Sequence, residues 1–292
     1  MVTISRTQFS VKNLIILITF IIFLFMVLFP FYWLTFSSLK VLSQVFEPKI
    51  IFPWETTPFP FNLTLFNFEY AIRDSRPSVI SMFINSLYIS ILSTILTIII
   101  STLGAYAVAR MKFRGKTTIT NSILLIYTFP GIIMIIPIFV LFSRFGLTGN
   151  VQGLIIAYLA QTVPVALYML AGYFQTIPTE VEEAALMDGC SRYDVIRKVT
   201  LPLSLPAMAS ISLFVFMIVW NEYLFARTFL LTNPRDEFTL PLGLAQLTSG
   251  AHFADFGGFL AAAMILLLPV MILYLAAEKY MVKGLTSGAV KG

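Results

Sequence analysis

Six windows of this chain run for about 20 residues or more without a single Asp, Glu, Lys or Arg, and no other feature limits its fold so strongly. They cover 13–39, 77–109, 117–143, 145–179, 199–221 and 256–277. A helix that crosses the hydrocarbon core of a bilayer needs about 20 apolar residues. The windows therefore predict spans at 14–36, 82–108, 119–142, 152–174, 207–231 and 259–281. Composition agrees: 11% of residues are charged and 58% hydrophobic, where soluble domains carry about 25% charged residues. A soluble fold with so few charges could not solvate its own surface. The expectation is an all-α integral membrane protein: residues 1–12, a transmembrane domain of six helices over 13–281, and a tail at 282–292.

An even number of spans puts both termini on one side, and positive charge selects that side. Arg6, Lys12, Arg110, Lys112, Arg114, Lys116, Arg192, Arg197, Lys198, Lys279, Lys283 and Lys291 make twelve on the side of the termini. Lys40, Lys49, Arg73, Arg76, Arg144, Arg227 and Arg235 make seven on the other, and the first four lie in a long segment where the rule is weaker. Both termini are therefore expected in the cytoplasm. The first span is too long for a signal-peptide core and lacks a small-residue cleavage pattern, so it reads as a retained helix. On the opposite side, Pro48, Pro53, Pro58 and Pro60 exclude a regular helix over 47–62. Residues 232–258 read as an irregular connection with a short helix around 240–247.

Several chemistries are excluded by what is missing. The single cysteine, Cys190, and the single histidine, His252, cannot build a disulfide or a Cys- or His-based metal site. His252 reads as a polar residue of an extracytoplasmic loop. No GxxxxGK[ST] phosphate loop occurs, and no Ser/His or Cys/His arrangement has an evident partner. No catalytic residue, metal or cofactor is expected in the chain itself. No internal repeat is visible, which weighs against a secondary transporter built from inverted halves. A membrane enzyme or scaffold is a further alternative.

The best-punctuated polar stretch is 178–206. Thr179 can cap a helix while Glu182, three residues on, reaches back in a capping box. Glu180, Glu182 and Glu183 sit where the positive end of the helix dipole favours them, and Gly189 suits the left-handed residue that closes the helix. Ser191 and Asp194 repeat the box and open a second helix, with Arg197 and Lys198 in its last turn and a stop at Leu201-Pro202. Ala184 and Ala185 leave part of the first helix nearly flat. These residues describe either a rigid docking knob for another protein or a plain elbow between two spans.

The string Glu183-Ala184-Ala185-Leu186-Met187-Asp188-Gly189, followed by Val199-Thr200-Leu201-Pro202-Leu203, resembles the EAA loop of binding-protein-dependent ABC import permeases. Trp220-Asn221-Glu222-Tyr223-Leu224-Phe225-Ala226 resembles the fifth-span motif of the maltose-type carbohydrate permeases, and the tail from Gly284 is similar to the C-terminus of that group. The resemblance implies a type I ABC importer permease fold with a cytoplasmic coupling helix seated in a cleft of a separate ATPase, which binds the ATP and Mg. It assigns ATPase coupling to Glu180, Glu183, Ala184, Ala185, Asp188 and Gly189, and a tail contact to Gly288, Lys291 and Gly292. The implied partners are a second permease subunit, an ATP-binding subunit dimer and an extracytoplasmic sugar-binding protein. The implied cargo is a mono- or oligosaccharide, with a polyol or glycerol phosphate as the alternative.

Within the spans, Gln161, Asn221, Glu222 and Tyr223 are candidates for the substrate pathway. A charge at mid-membrane costs about 2.5–3.5 kcal/mol and usually faces a cavity or a partner. A continuous helix from Ala207 would place Glu222 about 22 Å along it and put Glu222 and Arg227 on different faces. The alternative is that both charges snorkel to the interface. Pro130, Pro137, Pro164 and Pro269 each remove a backbone hydrogen bond and mark candidate kinks.

Overall fold

The computed structural model describes residues 11–40, 63–75, 78–128, 130–247 and 254–289, and among these no strand occurs. The chain order is α1 (Val11–Ser38), α2 (Phe66–Glu69), α3 (Val79–Arg110), α4 (Lys116–Thr128), α5 (Gly131–Arg144), α6 (Val151–Phe174), α7 (Thr179–Met187), α8 (Arg192–Val195), α9 (Leu201–Trp220), α10 (Leu224–Leu230), α11 (Leu240–Leu247) and α12 (Ala254–Ala289). A π turn over Tyr70–Asp74 extends α2, and another over Ile196–Thr200 joins α8 to α9. Five stretches are long and apolar enough to cross a membrane: Val11–Ser38, Val79–Arg110, Val151–Phe174, Arg192–Trp220 and Phe256–Ala276. The expected short helix at 240–247 is present as α11.

Two expected spans are not continuous. The third is split into α4 and α5, and Pro130, at φ −59° and ψ 120°, leaves the helical region before Gly131 re-enters it. Proline has no N–H to bond into a preceding turn, so the break falls there. Pro137, Pro164 and Pro269, by contrast, lie inside α5, α6 and α12 without ending them. The fifth span stops at Trp220 and restarts as the seven-residue α10. A third correction concerns Leu201-Pro202, where the elbow's second helix was expected to stop. The π turn hands the chain directly to α9, and Arg192–Trp220 is one helical run.

Two apolar clusters hold the helices together. One contains Val79, Met82, Phe225, Phe229, Leu240 and Leu242; the other, nearer α7, contains Ala105, Tyr106, Leu170, Phe174, Ile211 and Val215. Between them α3 presents buried Ser86, Ser90, Ser93, Thr97 and Ser101. The most extensive helix contact is that of α3 with α6. Lipid tails are as apolar as leucine, so membrane helices adhere through close packing and interhelical hydrogen bonds instead of the hydrophobic effect. Here the Thr97 and Thr162 hydroxyls meet at 2.7 Å, and Ser101 Oγ donates to the Val163 carbonyl at 3.2 Å. A Cβ on Gly104 would lie 2.6 Å from Leu167 Cδ1, so the helices approach closely at that point.

The far end is fastened by Asn67. Its Nδ2 donates to the Ser38 and Lys40 carbonyls at 2.9 and 2.7 Å, where α1 runs out of its own hydrogen-bond donors. A Cβ on Gly257 would collide with the same amide, so α12 and α1 converge on Asn67. Residues 13–29 of α1 expose an apolar flank that includes Phe23 and Met26. In water such a surface would drive association; in a bilayer it faces lipid.

Candidate functional site

The elbow between α6 and α9 is held by local hydrogen bonds, and most of its local signals are used as the sequence suggests. Gly189 has φ +86°. Its N–H donates to the Leu186 carbonyl at 3.1 Å, and the Cys190 N–H donates to the Ala185 carbonyl at 3.1 Å. These two bonds are the Schellman pair that closes a helix on a left-handed residue. Ser191 and Asp194 form a complete capping box at the start of α8, and Lys198 pairs with Asp194 at 2.8 Å on the surface.

Glu182 departs from expectation. Pro178 stands at the N-cap of α7 with no side-chain cap bond, so the Thr179–Glu182 box does not form. Glu182 turns inward instead and is 6% exposed. Arg110 Nε donates to its Oε1 at 3.0 Å, and Thr200 Oγ1 donates to the same oxygen at 3.1 Å. Tyr106 Oη donates to Oε2 at 3.5 Å. Arg110 Nη2 also donates to the Ile177 carbonyl at 2.7 Å. Both charged side chains of this pair are under one-tenth exposed, at 9% and 7%. A guanidinium buried at the end of α3 requires a carboxylate, because an unpaired buried charge is strongly destabilising. That requirement outweighs a cap that water could replace.

With Glu182 turned in, the other acidic residues are left facing out. Glu180, Glu183, Ala184, Asp188 and Gly189 are exposed and Ala185 is partly buried. Met187 and Tyr193 add exposed apolar surface, at 88% and 67%. The face therefore mixes carboxylates with apolar anchors on a backbone that is capped on both sides of the bend between α7 and α8.

The π turn explains how the chain passes Pro202. The Leu201 N–H donates to the Ile196 carbonyl, five residues back. Pro202, which has no N–H to donate, follows directly after this widened turn within the same helical run.

At the break past α9, Glu222 is not part of a continuous helix. Its Oε1 accepts the Phe225 N–H at 2.8 Å, and its Oε2 accepts the Ala226 N–H at 3.0 Å and the Tyr158 hydroxyl at 2.7 Å. The carboxylate thus satisfies the free amides that open α10. Arg227 is exposed and forms no ion pair with Glu222 among the described residues. Asn221 is exposed and donates to the Met217 carbonyl at 2.8 Å, while Tyr223 packs against the first apolar cluster. Gln161 lies on α6 with its Oε1 buried and without a partner among the described residues. The hydrogen bonds do not connect it to Asn221, Glu222 or Tyr223. Gly288 lies within α12, whereas Lys291, Gly292, His252 and the proline-rich 47–62 lie outside the described residues. No group of three or more His, Cys, Asp or Glu among the described residues is placed to hold a metal.

Arg110, Tyr106, Thr200 and Tyr158 belong to these clusters and are not singled out by the sequence. Arg110 enters the charge count only as one cation among twelve, and its partner lies 72 positions away.

Residues 98–286 match the family described as the binding-protein-dependent transport system inner membrane component. The chain belongs to that family. Its permeases are multi-pass membrane proteins of ABC importers, which work with a separate ATPase and a substrate-binding protein. This permease is 36% identical over 274 residues to the inner membrane ABC transporter permease protein YcjP of Escherichia coli K12, covering 93% of this chain and 94% of that protein. It is 35% identical over 266 residues to the trehalose transport system permease protein SugB of Mycobacterium tuberculosis, covering 91% and 93%. It is 34% identical over 282 residues to the trehalose/maltose transport system permease protein MalG of Thermococcus litoralis, covering 96% and 98%. A solved bacterial ABC transporter involved in import of the acidic polysaccharide alginate shares the fold. That match has a TM-score of 0.79 at 21% identity and covers 96% of this permease and 100% of that chain.

Proposed function

We propose that this permease is the membrane subunit of an ATP-driven importer of a mono- or oligosaccharide, and that a separate ATPase docks on the elbow. The observation that carries the docking half is the exposed, doubly capped face formed by Glu180, Glu183, Ala184, Ala185, Asp188 and Gly189. The trehalose and trehalose/maltose systems of two relatives support the sugar half. The complex contains a second permease subunit, an ATP-binding subunit dimer and an extracytoplasmic sugar-binding protein. Both termini face the cytoplasm, which puts the elbow on the side where ATP is available, and Gly288, Lys291 and Gly292 form a second contact with the ATPase. The permease carries no cofactor and no catalytic residue: ATP and Mg are held by the ATPase.

In the substrate pathway, Gln161 is the strongest of the four candidates, because its buried Oε1 is still free to accept a hydroxyl. Both Glu222 oxygens are already engaged, and Asn221 and Tyr223 flank the helix break. Glu183→Lys is expected to abolish co-purification of the ATPase while leaving the permease folded. Retained ATPase would overturn the docking reading. A panel of sugars, polyols and glycerol phosphate, titrated against the binding protein encoded with this permease, tests the cargo. Binding of a non-sugar alone would sink the sugar half.

A further inference from the structure

We infer that Arg110, Glu182 and Thr200 form a buried linkage that makes the elbow, α3 and α9 move as one body. A displacement applied to the elbow would then be passed directly to two transmembrane helices. The inference rests on the elbow being the ATPase docking surface, but names the residues inside this permease that carry the motion inward.

Three observations converge on it. First, of the carboxylates at 180, 182 and 183, only that of Glu182 is buried, so α7 faces a partner with one side and the membrane helices with the other. Second, Arg110 ends α3 and grips two separate points: the Glu182 carboxylate through Nε and the Ile177 carbonyl through Nη2. A single bond fixes a distance, whereas two bonds from one planar guanidinium also fix an orientation. Third, Thr200 reaches the same carboxylate oxygen from a π turn, and such turns inside α-helices are frequent at functional sites. One carboxylate thus joins three elements. Apolar packing alone would let α7 slide over the second cluster. Sliding here would strand a charge in a buried setting, which is strongly unfavourable. Buried ion pairs add little net stability over apolar replacements of the same size, so the distinctive contribution of this one is fixed geometry. Arg110 and Thr200 are positioning residues that act through Glu182.

The test uses Cys190, the chain's only cysteine and partly exposed beside α7, with a second spin label at Ile99→Cys on the exposed flank of α3. Pulsed electron paramagnetic resonance then reports the elbow-to-α3 distance. This is done for the permease pair alone and for the complete complex, with and without ATP. With Arg110 and Glu182 intact, one narrow distance is expected, unchanged by ATP. In Arg110→Met/Glu182→Met, which removes both charges together, the distribution is expected to broaden by about twofold and to shift on ATP addition, while ATPase co-purification and melting are unchanged. A distribution as narrow as the wild type, or loss of ATPase binding in this variant, overturns the linkage. So does an ATP-dependent distance in the wild type. Should the double variant fail to fold, Arg110→Lys keeps a paired charge but drops the bond to Ile177 and must broaden the distribution partially. An unaltered width overturns the linkage there too. The measurement without ATPase keeps its meaning even if Glu183→Lys shows that the ATPase docks elsewhere, so the two readings fail separately.

Discussion

Two carboxylates stand at opposite ends of α9, about 30 Å apart by helix rise, and they are satisfied in opposite ways. Glu182 takes its three donors from two other elements: Arg110 and Tyr106 of α3 and Thr200 of the π turn. Glu222 takes two of its three from amides three and four residues ahead, and only Tyr158 comes from elsewhere. The first carboxylate is a junction between helices; the second is the cap of one short helix. A local cap can be replaced by water or another acceptor. A junction that neutralises a buried cation cannot.

Substitution should widen that contrast. Glu182→Ala is expected to cost about 3–5 kcal/mol, because it leaves Arg110 charged and buried alone. Thermal melting in detergent would show it as the largest loss of the set. Glu222→Ala should cost about 1–2 kcal/mol, the range for removing an N-terminal cap, and amide exchange should accelerate at Phe225 and Ala226 before anywhere else. If the two losses are equal, the distinction between junction and cap is wrong. Gly189→Ala comes next at about 1 kcal/mol, for forcing a Cβ into the left-handed region; apart from its chain neighbours no described atom lies within 4 Å of that Cβ, so backbone strain is what is measured. Lys198→Ala removes only an exposed pair and should leave the melting midpoint where it is.

The same contrast explains what could be read in advance. The long apolar helices, the short helix at 240–247, the left-handed Gly189 and the Ser191–Asp194 box all depend on neighbours within a few residues, and the sequence carries them. Glu182 satisfied the local pattern for a capping box equally well, but a buried guanidinium far along the chain claimed it. Nothing within α7 could signal that competitor. The split at Pro130 falls on one of the four prolines marked as candidate kinks, whereas the split at Glu222 was hidden for another reason. Apolar windows measure polarity, and both halves of a broken span are apolar. The polar pair Asn221-Glu222 after Trp220 was the available sign that one run ends and another begins. The stop misplaced at Pro202 has a third cause. A proline breaks a regular helix, but an added residue in the preceding turn absorbs it.

That added residue has a consequence for insertions and deletions. Removing one residue between 196 and 200 would turn the π turn into ordinary helix, and because the wide turn and the ordinary turn each close about one rotation, α9 would keep its phase against the elbow. A residue removed within α9 itself, where no wide turn absorbs the change, would instead rotate everything beyond it by about 100°. The π turn is therefore the place in this helical run where a one-residue deletion should be tolerated best.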